Sequence, residues 1–561
     1  MKARYTLIGL LATAVWLTSG WIPAPTNPAS APLPGRPNIL WLSCEDMSPR
    51  LGCYGDSTVP TPNIDRLARE GVRYTNVFCT AGVCAPSRNA MITGMYQTST
   101  GGHNMRTLYD TYPQKTGLPK EYSVVMPPQV KAFPEYLRAA DYYTTNNAKT
   151  DYQFDAPPTV WDEVGAKAHW RNRTGEAARR PFFAVFNNVV THESQVWVRK
   201  DQPLRADPAK IKVPPYYPDT KTVRQDMARF YSNIREMDDW VGDLMKQLEA
   251  DGLLDKTIIF FWSDHGDGLP FIKREIYDRG LRVPLIVRFP DGRFANTTRD
   301  ELISMIDLAP TVLTVAGVEP PQYMQGQAFL EAQTGNRPKR VQPRRYIFAG
   351  RDRLDSEYDR VRTVHDGRYQ YIRNFYPERP LYMDIAFRKQ QPMMAEMLQL
   401  RDAGKLNAVQ MNWFRATKPA EELYDLRNDP YQLTNLADKP AMAGNLKRLR
   451  KELDKWLVES KDLGGVPEKE LVRQMWDGQN KPPVTAVPRI ARSSSQLSIS
   501  CPTEGASIGY KVSGEDSNWR VYTKPISAPA GKTVTAIAMR IGYTPSAEVT
   551  FTDSRGTTPV R

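Results

Sequence analysis

Cysteine is scarce and odd in number: Cys44, Cys53, Cys79, Cys84 and Cys501 are the only five among 561 residues. An odd count leaves at least one thiol unpaired, so the chain is not a disulfide scaffold and one cysteine has another fate. Long hydrophobic runs are also missing. The apolar stretch 7–17, preceded by Lys2 and Arg4, is shorter than the ~20 residues of a spanning helix. It reads as a secretory signal, with a candidate cleavage site at 29–31 and a proline-rich linker up to Pro37; an uncleaved anchor is the alternative. Export, periplasmic or secreted, is therefore expected, a setting that permits disulfides without requiring them. Acidic residues are outnumbered, 62 against 75 basic ones, for a net charge of +13. That balance favours an anionic partner such as nucleic acid, anionic lipid or acidic polysaccharide, although plain solubility explains it as well. A hydrophobic content of 41% with 46 prolines describes a globular, loop-rich chain, and its length exceeds one core.

What is present is an alternation of strands and helices. NILWLSC (38–44), RPFFAVFNNV (180–189) and TIIFFWS (257–263) are short apolar runs of the kind buried parallel strands show. Amphipathic helices are read over TPNIDRLARE, the long segment ahead of Gly252, and ISMIDLAPTVLTVAGV. This predicts an α/β domain on a largely parallel sheet over 37–343. From about Tyr346 short strands and turns take over, predicting a smaller α+β part over 344–463. Residues 464–495 read as a polar, proline-rich linker, and 496–561 alternate as a small β-sandwich would.

Two acidic sites follow buried strands: Glu45-Asp46 after NILWLSC and Asp264-His265 after TIIFFWS. Ligands of open α/β sheets bind beyond the carboxyl ends of strands. Brought together, these side chains would bind a divalent cation, Ca²⁺ or Mg²⁺ on carboxylate chemistry, Zn²⁺ or Mn²⁺ if His265 dominates. Capping of loops or helices is the plain alternative. In TAGVCAPSRNAMITG (80–94), Pro86 suits a first helical turn and Gly94 a stop. Cys84 is thus expected just before a helix N-terminus, where the dipole favours an anion and a thiolate. Arg88, four residues on, has the fork that holds a tetrahedral anion. A buried free cysteine is the competing reading of these few residues alone.

The longer pattern C-A-P-S-R-x-x-x-x-T-G, downstream of P-N-I-L and E-D and upstream of S-D-H-G, resembles the type I sulfatase family over roughly 37–437. The resemblance implies an alkaline-phosphatase-like fold. It implies that Cys84 is oxidised by a formylglycine-generating enzyme to formylglycine (3-oxoalanine), whose hydrate ligates the metal and attacks sulfur. Glu45, Asp46, Asp264 and His265 match the other metal positions, the family usually having Asp where Glu45 stands; Ca²⁺ is the usual ion, ahead of Mg²⁺, Mn²⁺ or Zn²⁺. Arg88 would orient formylglycine. Lys149, His192 and Lys273 match positions that contact sulfate, with Arg274 one residue from the register of Lys273. Asp151 stands where the family has histidine, and THES (191–194) replaces the usual prolines around His192. His103, Arg351 and Asp355 are further candidates for the substrate pocket. The branch most similar is the heparan N-sulfatase (sulfamidase) one, which implies a sulfated glycan and no nucleic acid; the last module resembles the C-terminal β domain of chitobiase and hexosaminidase enzymes. A phosphomonoester or phosphonate hydrolase of the same superfamily and an inactive glycan-binding protein are the rival readings. Sulfate linkage, exo or endo action and oligomeric state stay open.

Overall fold

The computed structural model describes residues 35–330, 342–515, 518–527 and 531–552, so the expected signal segment lies outside the described residues. Fourteen strands precede the C-terminal module: β1 (Asn38–Cys44), β2 (Val72–Tyr74), β3 (Val77–Phe78), β4 (Tyr143–Asn147), β5 (Glu163–Val164), β6 (Phe182–Asn188), β7 (Thr257–Ser263), β8 (Leu285–Arg288), β9 (Thr297–Arg299), β10 (Ile303–Ser304), β11 (Ile347–Arg351), β12 (Val361–His365), β13 (Tyr369–Asn374) and β14 (Glu421–Asp425). Eight of them form one sheet in the order β5-β4-β6-β1-β7-β8-β2-β9. Only β8 runs against the others. The mostly parallel α/β expectation is therefore met. Every residue of β1 and β7 is buried, which is why both read as unbroken apolar runs rather than as alternating ones.

Helices pack against the sheet and against one another. Lys221–Ala250 is capped by Thr220, whose Oγ1 accepts from the Val223 N–H at 3.2 Å. It buries Met227, Ile234, Val241 and Leu248, one per two turns, and packs on the helices Pro62–Arg69 and Pro392–Asp402. The smaller part is the antiparallel sheet β11-β12-β13-β14. Leu449, Leu453 and Trp456 of the helix Ala443–Glu459 seal it, in one cluster with Val364, Tyr371, Leu423 and Ala90. Ala90 belongs to the helix Cys84–Thr93, so the smaller part braces that helix directly.

The expected linker 464–495 is corrected in part. Glu468–Met475 is a helix that buries Leu471, Val472 and Met475, with Trp476 beside them. Glu468 is gripped by the fork of Arg353 at 2.6 and 2.8 Å and accepts from the Tyr122 hydroxyl at 2.7 Å. Prolines on either side hid an apolar face spaced i, i+1, i+4. The β-module starts earlier than expected, at Arg489–Ser493, and its two sheets enclose Leu497, Ile499, Val512, Val534 and Ala536.

The long helix carries one carboxyl at odds with its surroundings. Asp226 is buried and accepts from the Met393 N–H at 2.7 Å, at the first turn of Pro392–Asp402. Burial pushes it up to about 7. The folded protein thus holds this proton more tightly than the unfolded chain, so the ionised form is a cost that appears as pH rises through about 4 to 7. Asp226→Asn keeps the acceptor oxygen without the charge. It is expected to raise unfolding free energy at about pH 8, by on the order of 1–4 kcal/mol at ~1.4 kcal/mol per unit, and to give no gain near pH 4. Urea unfolding at the two pH values checks this.

Candidate active site

Four adjacent strands of the large sheet, in the order β4-β6-β1-β7, end side by side: Cys44 of β1 is level with Asn188 of β6 and Ser263 of β7. The chain leaving each strand supplies one part of a single site. Lys149 follows β4, His192 follows β6, Glu45 and Asp46 follow β1, and Asp264 and His265 follow β7. The helix Cys84–Thr93 aims its N-terminus at the same point. All ten of its residues are buried, and no side chain caps it at Val83, which is extended. Cys84 is the first helical residue rather than the one before it. The Ser87 hydroxyl donates to the Asp264 carbonyl at 2.6 Å, fixing the helix on the β7 loop. Gly82 just ahead has no room for a side chain, since a Cβ there would lie 2.3 Å from the Glu275 carbonyl oxygen.

Cys84 Sγ lies 3.3 Å from His265 Nε2 and 3.8 Å from Asp46 Oδ1. Three overlapping sets of ligand atoms converge here, each within 4.8 Å: Asp46, Cys84 and His265; Glu45, Cys84 and Asp264; Glu45, Asp46 and His192. The donor set suits a hard divalent cation, being mostly carboxylate oxygen. One detail supports the fit. His265 Nδ1 is 2.9 Å from the Gly266 carbonyl and donates to it, which turns Nε2 towards Asp46 Oδ1 at 3.0 Å. Lone pair would face lone pair there unless a proton or a cation lies between them, the arrangement second-shell carbonyls impose on metal-binding histidines. Burial alone would lower the pKa of His265, but Asp264 and Asp46 hold it well above the usual imidazole range, which reports the same demand for positive charge.

Three protein cations balance the acids. Arg88, wholly buried, donates through Nε to Asp264 Oδ2 at 2.9 Å and through one terminal nitrogen to Asn187 Oδ1 at 2.8 Å, while the other reaches Ser43 Oγ at 3.3 Å and Glu45 Oε1 at 3.5 Å. Its fork therefore orients the acids around Cys84. Lys149 Nζ bridges Glu45 at 2.5 Å and Asp151 at 3.1 Å. Lys273 Nζ lies 2.6 Å from Asp46 Oδ2 and 3.0 Å from Glu193. Burial would push the Cys84 thiol up, yet Lys273 and Lys149 bring it below its usual value. An anion at this point is therefore favoured, whereas burial pushes Cys44 and Cys79 up and leaves them inert.

Of the other expected residues, Arg274 is engaged bidentately by Glu193 at 2.7 and 2.8 Å. Asp151 pairs with Lys149, in the left-handed backbone region at φ 55°. Arg351 is not in the pocket: it bridges Glu275 and Asp359, both at 2.6 Å, inside the joint between the two parts. His103, 4% exposed, faces the charge of Asp462 and joins none of the clusters at Cys84. Asp355, itself buried, pairs with Arg106 at 2.6 Å. Two residues escaped the sequence reading. Glu193 holds Lys273 and Arg274, and its backbone N–H donates to Asp46 Oδ2 at 2.7 Å; the acid in THES was its only signal. Asn187 joins Arg88 to the carbonyls of Asn147 and Lys149, and nothing in a strand-end NN singles it out.

A mostly parallel sheet whose strand ends gather acids, a histidine and cations around a helix-borne cysteine is an architecture suited to hydrolysis of anionic esters with a divalent cation. The comparisons name the family. The model of the sulfatase family matches residues 37–318, and that of the N-sulphoglucosamine sulphohydrolase C-terminal region matches 266–412. An ulvan-active sulfatase of Formosa agariphila is 45% identical over 93% of this chain and 92% of its own. Human N-sulphoglucosamine sulphohydrolase is 25% identical over 76% of this chain and 90% of its own. A solved structure in complex with its substrate D-glucosamine-2-N,6-O-disulfate superposes with a TM-score of 0.55 at 19% identity, over 78% of this chain and all of that one. The chain belongs to the sulfatase family.

Arg88→Ala would leave Asp264 and Glu45 buried with less compensating charge. A loss of about 3–5 kcal/mol in unfolding free energy is expected, as for breaking a buried pair from one side. Saturating divalent cation should recover part of that loss, and chemical unfolding with and without the cation checks both statements.

Proposed function

We propose that this protein is exported and Ca²⁺-dependent, that Cys84 is the precursor of formylglycine, and that the enzyme releases sulfate from a sulfated polysaccharide. The observation that carries the reading is the position of Cys84 Sγ, at a helix N-terminus, within 3.3 Å of His265 and 3.8 Å of Asp46. Sγ there stands in for a hydrate oxygen of the modified residue. Glu45, Asp46, Asp264 and His265 would hold the cation, which supplies Lewis acidity towards a sulfuryl oxygen and favours the ionised nucleophile.

The remaining chemistry falls to side chains. Lys149 and Lys273 flank the Sγ position and offset charge gathering on sulfuryl oxygens in a water-poor site. His192 Nδ1 accepts from the Ser194 N–H at 3.3 Å, which leaves Nε2 as the proton-bearing nitrogen of the neutral ring, and the ring stands among the ligand atoms of Glu45 and Asp46 as the group to protonate the leaving oxygen. Arg88 and Glu193 keep the acids and Lys273 in place. Asp151 sits beside Lys149 as an acceptor for a proton of the modified residue.

The relative that is similar over nearly its whole length acts on ulvan, which supports a sulfate ester of a polysaccharide of that kind. The likeness to N-sulphoglucosamine sulphohydrolase supports sulfamate as the second linkage to try.

Protein co-expressed with a formylglycine-generating enzyme should carry a Cys84 peptide lighter by about 18 mass units, sulfur and two hydrogens exchanged for one oxygen. Sulfate release from ulvan oligosaccharides, measured by ion chromatography, should vanish in Cys84→Ala and in chelated enzyme, and return with added Ca²⁺. An unmodified thiol in active protein would refute the role of Cys84. Faster turnover of phosphate or phosphonate esters than of sulfate esters would refute the substrate class.

A further inference from the structure

The wall of the site contains a cation that the catalytic arrangement does not use. Arg106 has its backbone in the left-handed region at φ 59°, uncommon for a side chain of this size and a mark of a position held by its surroundings. Its Nε donates to Asp355 Oδ1 at 2.6 Å. The terminal NH1 and NH2 make no hydrogen bond to an acceptor among the described residues, and the side chain is 25% exposed. Asp355 therefore fixes the guanidinium through Nε and leaves its two terminal groups without a protein acceptor among the described residues.

Its location relative to the sulfate pocket follows from ring contacts. Arg106 Cζ stands 5.2 Å from the Phe387 ring centre, and Phe387 lies 6.2 Å from the His192 ring. Trp197 meets Phe387 edge-on at 5.2 Å, and both rings are only half-buried. Tyr109, three residues on from Arg106, is 58% exposed and lies within reach of the charges of Asp151, Lys149 and Arg106. Partly open rings thus lie near a forked cation, and Phe387 contacts both that cation and the His192 ring. Aromatic faces suit the apolar side of a pyranose, and a guanidinium fork suits a carboxylate or sulfate.

We propose that Arg106, framed by Phe387, Trp197 and Tyr109, forms a subsite for a second oxyanion of the glycan, carried on the sugar next to the one that loses its sulfate. The inference rests on the sulfatase reading above and adds a specificity determinant to it. The anion has two sources in an acidic polysaccharide, a uronate carboxylate or a further sulfate, and both meet the fork in the same way. Asp355 already neutralises much of the charge of Arg106, so a monoanion gains a directional, bidentate contact rather than a bare Coulombic one.

The test compares wild type, Arg106→Gln and Arg106→Lys on four substrates. These are an aryl sulfate, a sulfated disaccharide with a neighbouring uronate, the same disaccharide after carboxyl reduction, and a uronate-free disaccharide with sulfate on both sugars. The aryl sulfate reports the sulfatase reading alone: if wild type fails on it and on every sugar, that reading falls first. With that reading intact, the ratio of kcat/KM on an anion-bearing disaccharide to kcat/KM on the aryl sulfate should drop about 10- to 100-fold in Arg106→Gln, mostly through KM, as loss of a charge-assisted pair implies. Arg106→Lys should recover part of it, having charge without the fork. A drop confined to the uronate substrate assigns the anion as carboxylate, and one confined to the disulfated substrate assigns it as sulfate. An unchanged ratio on both, an equal drop on the carboxyl-reduced control, or aryl sulfate turnover without activity on any sugar would overturn the subsite.

Discussion

Everything in this molecule answers to one electrostatic constraint: three carboxylates and an imidazole are brought within a few ångströms of each other, away from water, at the end of a sheet. Glu45, Asp46 and Asp264 would repel one another out of place without Arg88, Lys149 and Lys273 beside them. Each cation arrives on a different element, so the site forms only when the strands, the helix of Cys84 and the loop after β7 are all in register. Burial makes each pairing strong and each omission costly. This is the logic of a preorganised site, which holds its charges before any ligand arrives.

The constraint propagates outward through Glu193. Its backbone N–H binds Asp46, and its carboxylate holds Lys273 and Arg274. Arg274 is followed by Glu275, which pairs with Arg351 on β11, and Arg351 pairs with Asp359. A row of alternating charges thus runs from the acids around Cys84 into the smaller sheet. The role first expected of Arg351, contact with substrate, is replaced by this structural one: its guanidinium is enclosed by acids from both parts. The smaller part is accordingly more than a lid. It supports the helix of Cys84 through Ala90 and the Lys273 loop through Arg351.

The sheet and the first tier of the site were legible because they depend on local patterns. Fully buried strands write themselves as apolar runs, and the acids that follow NILWLSC and TIIFFWS stand where strand ends place ligands. Cys84 was legible through its helix start and through the longer pattern around it. What was not legible depends on partners far apart in the chain. Glu193 meets Arg274 across 81 positions and Asn187 meets Arg88 across 99, and no local spacing encodes either. The helix Glu468–Met475 was hidden by flanking prolines and by charges that, in three dimensions, are matched by Arg353.

Asp151 shows where residue type and geometry part ways. A histidine is expected at that position from the family pattern, and an acid there suggests a weakened site if charge is considered residue by residue. In place, Asp151 and Glu45 hold Lys149 between them, one on each side. An ammonium so held keeps its proton and its direction, towards the position of Cys84, while an imidazole would have competed with it for positive charge beside a cation. Glu45 extends the same reasoning: one methylene longer than the usual aspartate, it reaches Lys149 at 2.5 Å and still lies among the ligand atoms that converge on Cys84. The two departures from the family pattern therefore act together. The longer acid at 45 and the acid at 151 share one lysine, and the charge balance of the pocket is preserved by the pair rather than by either residue alone.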